Sequence, residues 1–262
     1  MRNIRQWVLS GLALSLFFLQ YASAAPADLN RCTALLERPS KVSVFVQEFR
    51  RRRIGHVESG AKNEEYGYLI EGSLGQSTSS VFLAKAPFGA AVVIKRSTMR
   101  PAIALSSLWR ELSVTEYLLE NGEKVPRILM VKIDSSGKVF IAKEYFEGLT
   151  GAEIERERTS YSDSLPKELS ETAWSLLEPE RDRLKNLFSN GFQEHPSFRV
   201  WYGVNLPRLI KKYGEAWAQI QRLILVDSEI QSKLNNFIYA QDFGIQNFLF
   251  DVPSGRWIAF DP

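Results

Sequence analysis

Residues 241–262 read QDFGIQNFLFDVPSGRWIAFDP, and the division of this stretch into elements decides the fold. Asp242 precedes an apolar run that contains Asn247, a turn follows at Pro253-Ser254-Gly255, and a second apolar run, Trp257–Phe260, ends at Asp261. Two short strands joined by that turn would bring Asn247 and Asp261 side by side at the open end of a hairpin, where their oxygens could share a hard cation. Asp242, just ahead of the first strand, would be within reach of a substrate hydroxyl. The layout suits metal-assisted phosphoryl transfer.

The rest of the composition is that of a folded chain. With 262 residues, 45% of them hydrophobic and 24% charged, it can bury one large core or two small lobes, and disorder, collagen and coiled coil are excluded. Residues 1–24 differ: Arg2 and Arg5, an apolar run from about Trp7 to Leu19, then Ala22-Ser23-Ala24. A basic start, a short apolar segment and small residues at the cleavage point predict a secretory signal peptide, with no stable membrane insertion once it is removed. Cleavage would take away two arginines and no acids, lowering the net charge from +3 to 33 − 2 − 30 = +1. Neither value carries a basic signature for nucleic acid. Cys32 is the only cysteine and His56 and His195 are the only histidines, which excludes His/Cys metal clusters and Cys–His catalysis.

Residues 25–64 read as an N-terminal extension that contains the run Arg50–Arg53, a solvated charge cluster on the simplest reading. Short β-like runs follow at Tyr66–Glu71, Val81–Ala84, Ala91–Ile94, Ile128–Ile133 and Val139–Glu144, divided by turns such as Pro87-Phe88-Gly89 and Ser135-Ser136-Gly137. One helix interrupts them, Leu105–Asn121, with Leu108, Leu112, Thr115, Leu118 and Leu119 on one face and Gly122 as its stop. After Gly148 the pattern is helical. Ser170–Phe188 should be bent or divided at Pro179, and Leu206–Val226 shows the clearest periodicity in the chain. Asp227-Ser228 then resembles an N-cap leading into the terminal stretch.

The β-rich half holds the groups that could meet a nucleotide. Leu74–Val81 is a turn of small residues whose backbone N–H groups could lie over phosphates. Val92-Val93-Ile94-Lys95 sets a lysine at the end of an apolar strand, and sixteen residues on Arg110-Glu111 lies on the helix. A lysine beside phosphates needs a carboxylate to fix it, and a helix packed on the sheet can supply one.

This order and spacing resembles the protein-kinase-like superfamily, including its aminoglycoside-phosphotransferase branch. The resemblance covers roughly residues 66–148 and 228–262, and residues 149–227 match only as generic helices. It implies an α+β, two-lobed fold: a β-rich N-lobe with one helix over residues 65–147, and a truncated, mostly helical C-lobe over 148–262. It further implies ATP and Mg²⁺ as cofactors. By the same resemblance Gly72, Gly75 and Ser77 belong to the loop over the phosphates, Lys95 grips them, and Glu111 is its ion-pair partner, with Glu116 as the second candidate. The backbone at Glu144 and Phe146 is the adenine hinge. Asp242 is the catalytic-loop aspartate, and Asn247 and Asp261 are the metal ligands. Asp242-Phe243-Gly244 also spells the kinase metal-binding tripeptide, but that reading needs an Asp/Asn pair upstream, and Asp227 has Ser232 where the Asn should be.

Several positions depart from the family pattern. Ser77 and Ser80 stand where glycines are usual, Ala240 replaces a histidine, and Lys143 occupies a gate position that is usually apolar. The sequence ends one residue after Asp261, so the expectation is a minimal kinase, similar to the pared-down kinases that some bacterial pathogens deliver into hosts, or else a fragment. Because ATP is scarce outside the cytosol, export points to a secreted effector acting on a host protein. A catalytically silent pseudokinase and a same-fold AMP transferase are the alternatives.

Overall fold

A computed structural model describes residues 55–56, 64–76, 79–159, 167–188, 197–226, 230–232, 234–235, 243–251 and 254–261. The signal-like segment 1–24, Cys32, Arg50–Arg53, His195 and the Asp227-Ser228 cap lie outside these residues. Among the described residues no helix is long and apolar enough to cross a membrane.

The fold is α+β. Its first half is a seven-stranded antiparallel sheet of β1 (Gly55–His56), β2 (Glu64–Glu65), β3 (Tyr68–Gln76), β4 (Ser79–Lys85), β5 (Ala91–Ser97), β6 (Ile128–Ile133) and β7 (Val139–Glu144). The order is β1-β3-β4-β5-β7-β6, with β2 also on β3. The one helix of this half among the described residues, α1 (Pro101–Glu120), leaves from β5 and returns to β6. Alternation along β5 and β7 explains why both sheet faces are buried. Val92, Ile94, Phe140 and Ala142 build one core cluster, and Val139 and Ile141, of the opposite parity, build the core shared with α1.

Local chemistry sets the ends of α1. Pro101 opens it, where the missing N–H is no loss. Gly122 at φ +78° closes it, its N–H donating to the Leu119 carbonyl while the Glu123 N–H reaches back to Leu118. Sequence periodicity predicts one buried face. The helix is instead buried around most of its circumference, Ser106 and Ser113 included. The physical reason lies in the second half, whose helices cover its outer side. Ser106 and Ser113 sit in this apolar setting because each hydroxyl donates to the carbonyl four residues back.

The second half comprises β8 (Leu149–Thr150), α2 (Gly151–Thr159), α3 (Lys167–Phe188), α4 (Ser197–Lys212), α5 (Gly214–Val226), a short 3₁₀ turn Ile245–Asn247, and β9 (Phe248–Asp251) and β10 (Arg256–Ala259). Two expectations need correction. Pro179 does not divide α3, because Pro179 and Ser175, whose carbonyl loses its helical donor, both face solvent, where water can replace the bond. The periodic run 206–226 is two helices rather than one, bending at Tyr213-Gly214, and the first begins at Ser197. Backbone bonds from Tyr213 to Leu209 and from Trp217 to Tyr213 carry the ladder through the bend.

The terminal stretch forms the expected hairpin, with Phe248 opposite Ala259 and Asp251 opposite Arg256, and β8 adds a third strand on β9. Trp257 fixes it to α3 by donating its indole N–H to the Ala173 carbonyl at 2.7 Å. Asp251, buried beneath the turn, accepts from the Lys124 ammonium at 2.6 Å, which ties the hairpin to the segment after α1.

Gly148 passes so close to the hairpin that a Cβ there would lie 2.2 Å from the Phe250 carbonyl oxygen. Gly148→Ala should therefore destabilise the protein by on the order of 1–3 kcal/mol. Gly203, inside α4, has nothing within 4 Å of a built Cβ. Gly203→Ala should stabilise it by roughly 0.5–1 kcal/mol through helix propensity. Urea unfolding of the two variants beside the parent checks both signs.

Candidate active site

Three elements far apart in sequence converge on one ammonium group. Lys95 projects from β5, Glu111 from α1, and Asp261 follows the end of β10. The Lys95 Nζ donates to Glu111 Oε2 at 3.0 Å and to both Asp261 oxygens, at 2.6 and 2.8 Å. Glu111 is 2% exposed, while the Asp261 side chain is 29% exposed and open to an incoming group. A second lysine completes the cluster. Lys143 Nζ stands 2.5 Å from Glu111 Oε1 and donates to the Phe260 carbonyl at 2.7 Å. Two lysines and two carboxylates thus form a formally neutral group between the sheet, α1 and the hairpin end.

The charges shift one another's titration as this geometry requires. Burial alone would push the Glu111 carboxyl up, but the Lys143 and Lys95 ammoniums overcome it and hold it at about 2. Burial likewise opposes charge on Lys95, and Glu111 and Asp261 more than reverse this, raising it above its ordinary value. Both groups are therefore charged at neutral pH.

Glu116 occupies a different environment. Its carboxylate accepts from Lys212 at 2.6 Å and from the Tyr213 hydroxyl at 2.7 Å, which pins α1 to the helices of the second half. Gly72 and Gly75 lie in β3, beside register shifts in its pairing with β4, and Gln76 pairs with Ser80. Ser77 is outside the described residues, as is Asp242. Asn247 ends the 3₁₀ turn, and its carbonyl accepts the Phe260 N–H at 3.0 Å, which brings the two strand ends into register one residue short of Asp261. Glu144 ends β7, its N–H donating to the Arg127 carbonyl at 3.0 Å and its carboxylate paired with the Arg127 guanidinium. Phe146 lies beyond it with the Lys124 ammonium 5.2 Å from its ring centre. The Asp261 carboxylate is the partly open oxygen group of the cluster, and both of its oxygens are taken up by Lys95.

What sequence reasoning missed is the part played by Lys143. A signal was available: Lys143 has the same parity as Val139 and Ile141, whose side chains face α1.

No family model matches the sequence, and no curated protein matches it. Solved structures similar to the chain include the Mycobacterium tuberculosis PknI kinase domain, 17% identical, covering 51% of this chain and 52% of that one with a TM-score of 0.34. The yeast RNA Pol II CTD kinase CTDK-1 complex is 19% identical, with 48% and 40% covered and a TM-score of 0.29. The GDP and kanamycin complex of APH(2")-IIia is 16% identical, with 74% and 64% covered and a TM-score of 0.37. The chain spans about half the length of the PknI domains it matches.

A buried carboxylate held down by two cations links stability to acid. Because the Glu111 value in the folded protein, about 2, lies below its ordinary 4.5, its contribution is fully present above about pH 4.5 and is lost as pH falls toward 2. The loss should be on the order of 3 kcal/mol. Urea titrations between pH 5 and pH 2 should show a shallower acid decline, by up to about one proton, in Glu111→Gln than in the parent.

Proposed function

We propose that the protein is an ATP- and Mg²⁺-dependent phosphotransferase that transfers the γ-phosphate of ATP to a hydroxyl group. The observation that carries this reading is the Lys95 ammonium held jointly by a helix carboxylate and a carboxylate at the hairpin end, 16 and 166 residues away in sequence. A structural ion pair needs one partner. A lysine given two carboxylates, one sealed and one open to solvent, is arranged to exchange the open one for a phosphate.

In this reading Lys95 binds the phosphates and Glu111 keeps it from swinging away. The backbone of Gly72 and Gly75, with Ser77, covers the phosphates, and the chain at Glu144 and Phe146 receives the adenine. Asp261 and Asn247 would hold Mg²⁺, which when bound draws charge from the phosphate oxygens. Asp242 orients the acceptor hydroxyl and takes its proton. With residues 1–24 acting as an export signal, the acceptor is a protein of a host cell, where ATP is available.

The chain should be incubated with ATP and Mg²⁺, alone and with host lysate, and followed by intact mass. Added phosphate is the expected result, and added AMP would redirect the reading to AMP transfer. Lys95→Ala and Asp261→Ala should each lower transfer at least about a hundredfold while thermal unfolding stays cooperative. Full activity in both variants would mean that the site is wrong. No transfer by the parent, with no rise in its Tm on adding Mg·ATP, would sink the enzyme reading.

A further inference from the structure

Lys143 is a cation in a row of apolar residues. Val139, Ile141 and Lys143 alternate along the α1-facing side of β7, and the first two belong to the core beneath that helix. In the pairing with β5, Ile141 lies opposite Lys95 and Lys143 opposite Val93, so the two lysines rise from one face of the sheet on a diagonal. Lys143 is only 5% exposed. A buried ammonium is tolerated only with close partners, and it has two: Glu111 Oε1 at 2.5 Å and the Phe260 carbonyl at 2.7 Å. That carbonyl belongs to the peptide immediately before Asp261.

We propose that Lys143 is a positioning residue of the phosphotransfer site, holding the Glu111 carboxylate when Lys95 turns to the nucleotide and fixing the hairpin end that presents Asp261. The inference rests on the phosphotransferase reading above. Lys95 has three N–H donors, and the structure meets them with Glu111 Oε2 and the two oxygens of Asp261. An incoming phosphate must displace part of that set. Asp261 can turn to a cation or to water, whereas Glu111 is sealed from both. With Lys143 on Oε1, Glu111 keeps one full counter-charge while the hold of Oε2 on Lys95 relaxes. Without Lys143, the buried carboxylate would compete with the phosphates for the single charge of Lys95.

The helix cannot relieve that competition by moving outward. On its far side the Trp109 indole donates to the Tyr202 hydroxyl at 2.8 Å and Glu116 is bound by Lys212 and Tyr213. Nor can solvent take the place of Lys143 at Oε1. Lys143 is thus the group that lets a locked Glu111 share Lys95 with a ligand.

The test is a double-mutant cycle read on ATP rather than on stability. The parent, Lys143→Met, Glu111→Gln and the double variant are titrated with ATP in excess Mg²⁺ by calorimetry, and transfer kinetics are measured alongside. Lys143→Met should raise the Kd and the KM for ATP about tenfold with a smaller fall in kcat, and Lys143→Arg should recover most of the loss. In the Glu111→Gln background, Lys143→Met should have little further effect, because no buried carboxylate is left to compete. Should Lys143→Met fail to unfold cooperatively, Lys143→Gln, which keeps a donor and loses the charge, replaces it in the cycle. Unchanged ATP affinity on losing the charge, or an equal loss in both backgrounds, overturns the role of Lys143 and leaves the phosphotransferase reading standing. A parent that binds no Mg·ATP overturns that reading, and this inference with it.

Discussion

The carboxylate of Glu111 is the constraint on which the rest of the structure depends. A carboxylate sealed in the interior persists only if cations reach it, and here two do, from neighbouring strands of one sheet. That requirement fixes the register of β5 against β7. A slip of one residue would turn one lysine to the opposite face, into the core of Ile94, Phe140 and Ala142. It also fixes the position of α1, since a carboxylate can bridge two ammoniums only from a helix that neither slides nor tilts.

The second half of the chain supplies that immobility. Trp109 lies against Trp217 with ring centres 4.8 Å apart, and Tyr117 packs among Phe188, Phe198 and Trp201. The ion pairs of Glu116 act on the same helix as this aromatic contact. These contacts face away from the sheet, so the helix that carries Glu111 belongs equally to both halves. The hairpin is tied in similarly, through Trp257 to α3 and through Phe260 to Lys143. The elements that bring Lys95, Glu111 and Asp261 together are therefore each anchored by residues that make no contact with Lys95.

The sequence makes part of this legible. β6 and β7 fall on the expected residues because each is an apolar run bounded by Pro, Ser or Gly, and the terminal hairpin is readable because Pro253-Ser254-Gly255 divides two such runs. The nearness of Lys95 to Glu111 rather than Glu116 is only half legible. The two glutamates lie five residues apart, a little under one and a half helical turns, so they face different directions, but periodicity alone does not say which direction meets the sheet. The burial of α1 on its outer side is not legible at all, because Ser113 reads as a solvent position until the helices that cover this side are in place. Pro179 misleads because its exposed position lets the helix run through it, and Gly214 because the apolar periodicity continues across the point where the path divides into two helices.

Lys143 is the sharpest case of a local rule broken. By alternation the position should be apolar, and by volume an apolar residue would fit the row that Val139 and Ile141 begin. A lysine left there by accident would need either a path to water or a change of protonation state. It has instead one carboxylate and one carbonyl, each belonging to an element that also serves Lys95. A buried charge is usually no more stabilising than a well-packed apolar side chain of similar volume, so stability alone gives no reason for it. The reason lies in what its two partners do: one holds the lysine at the centre of the site, and the other is the peptide that leads into Asp261. A defect in the packing pattern that touches both sides of one ion-pair network is a part of that network.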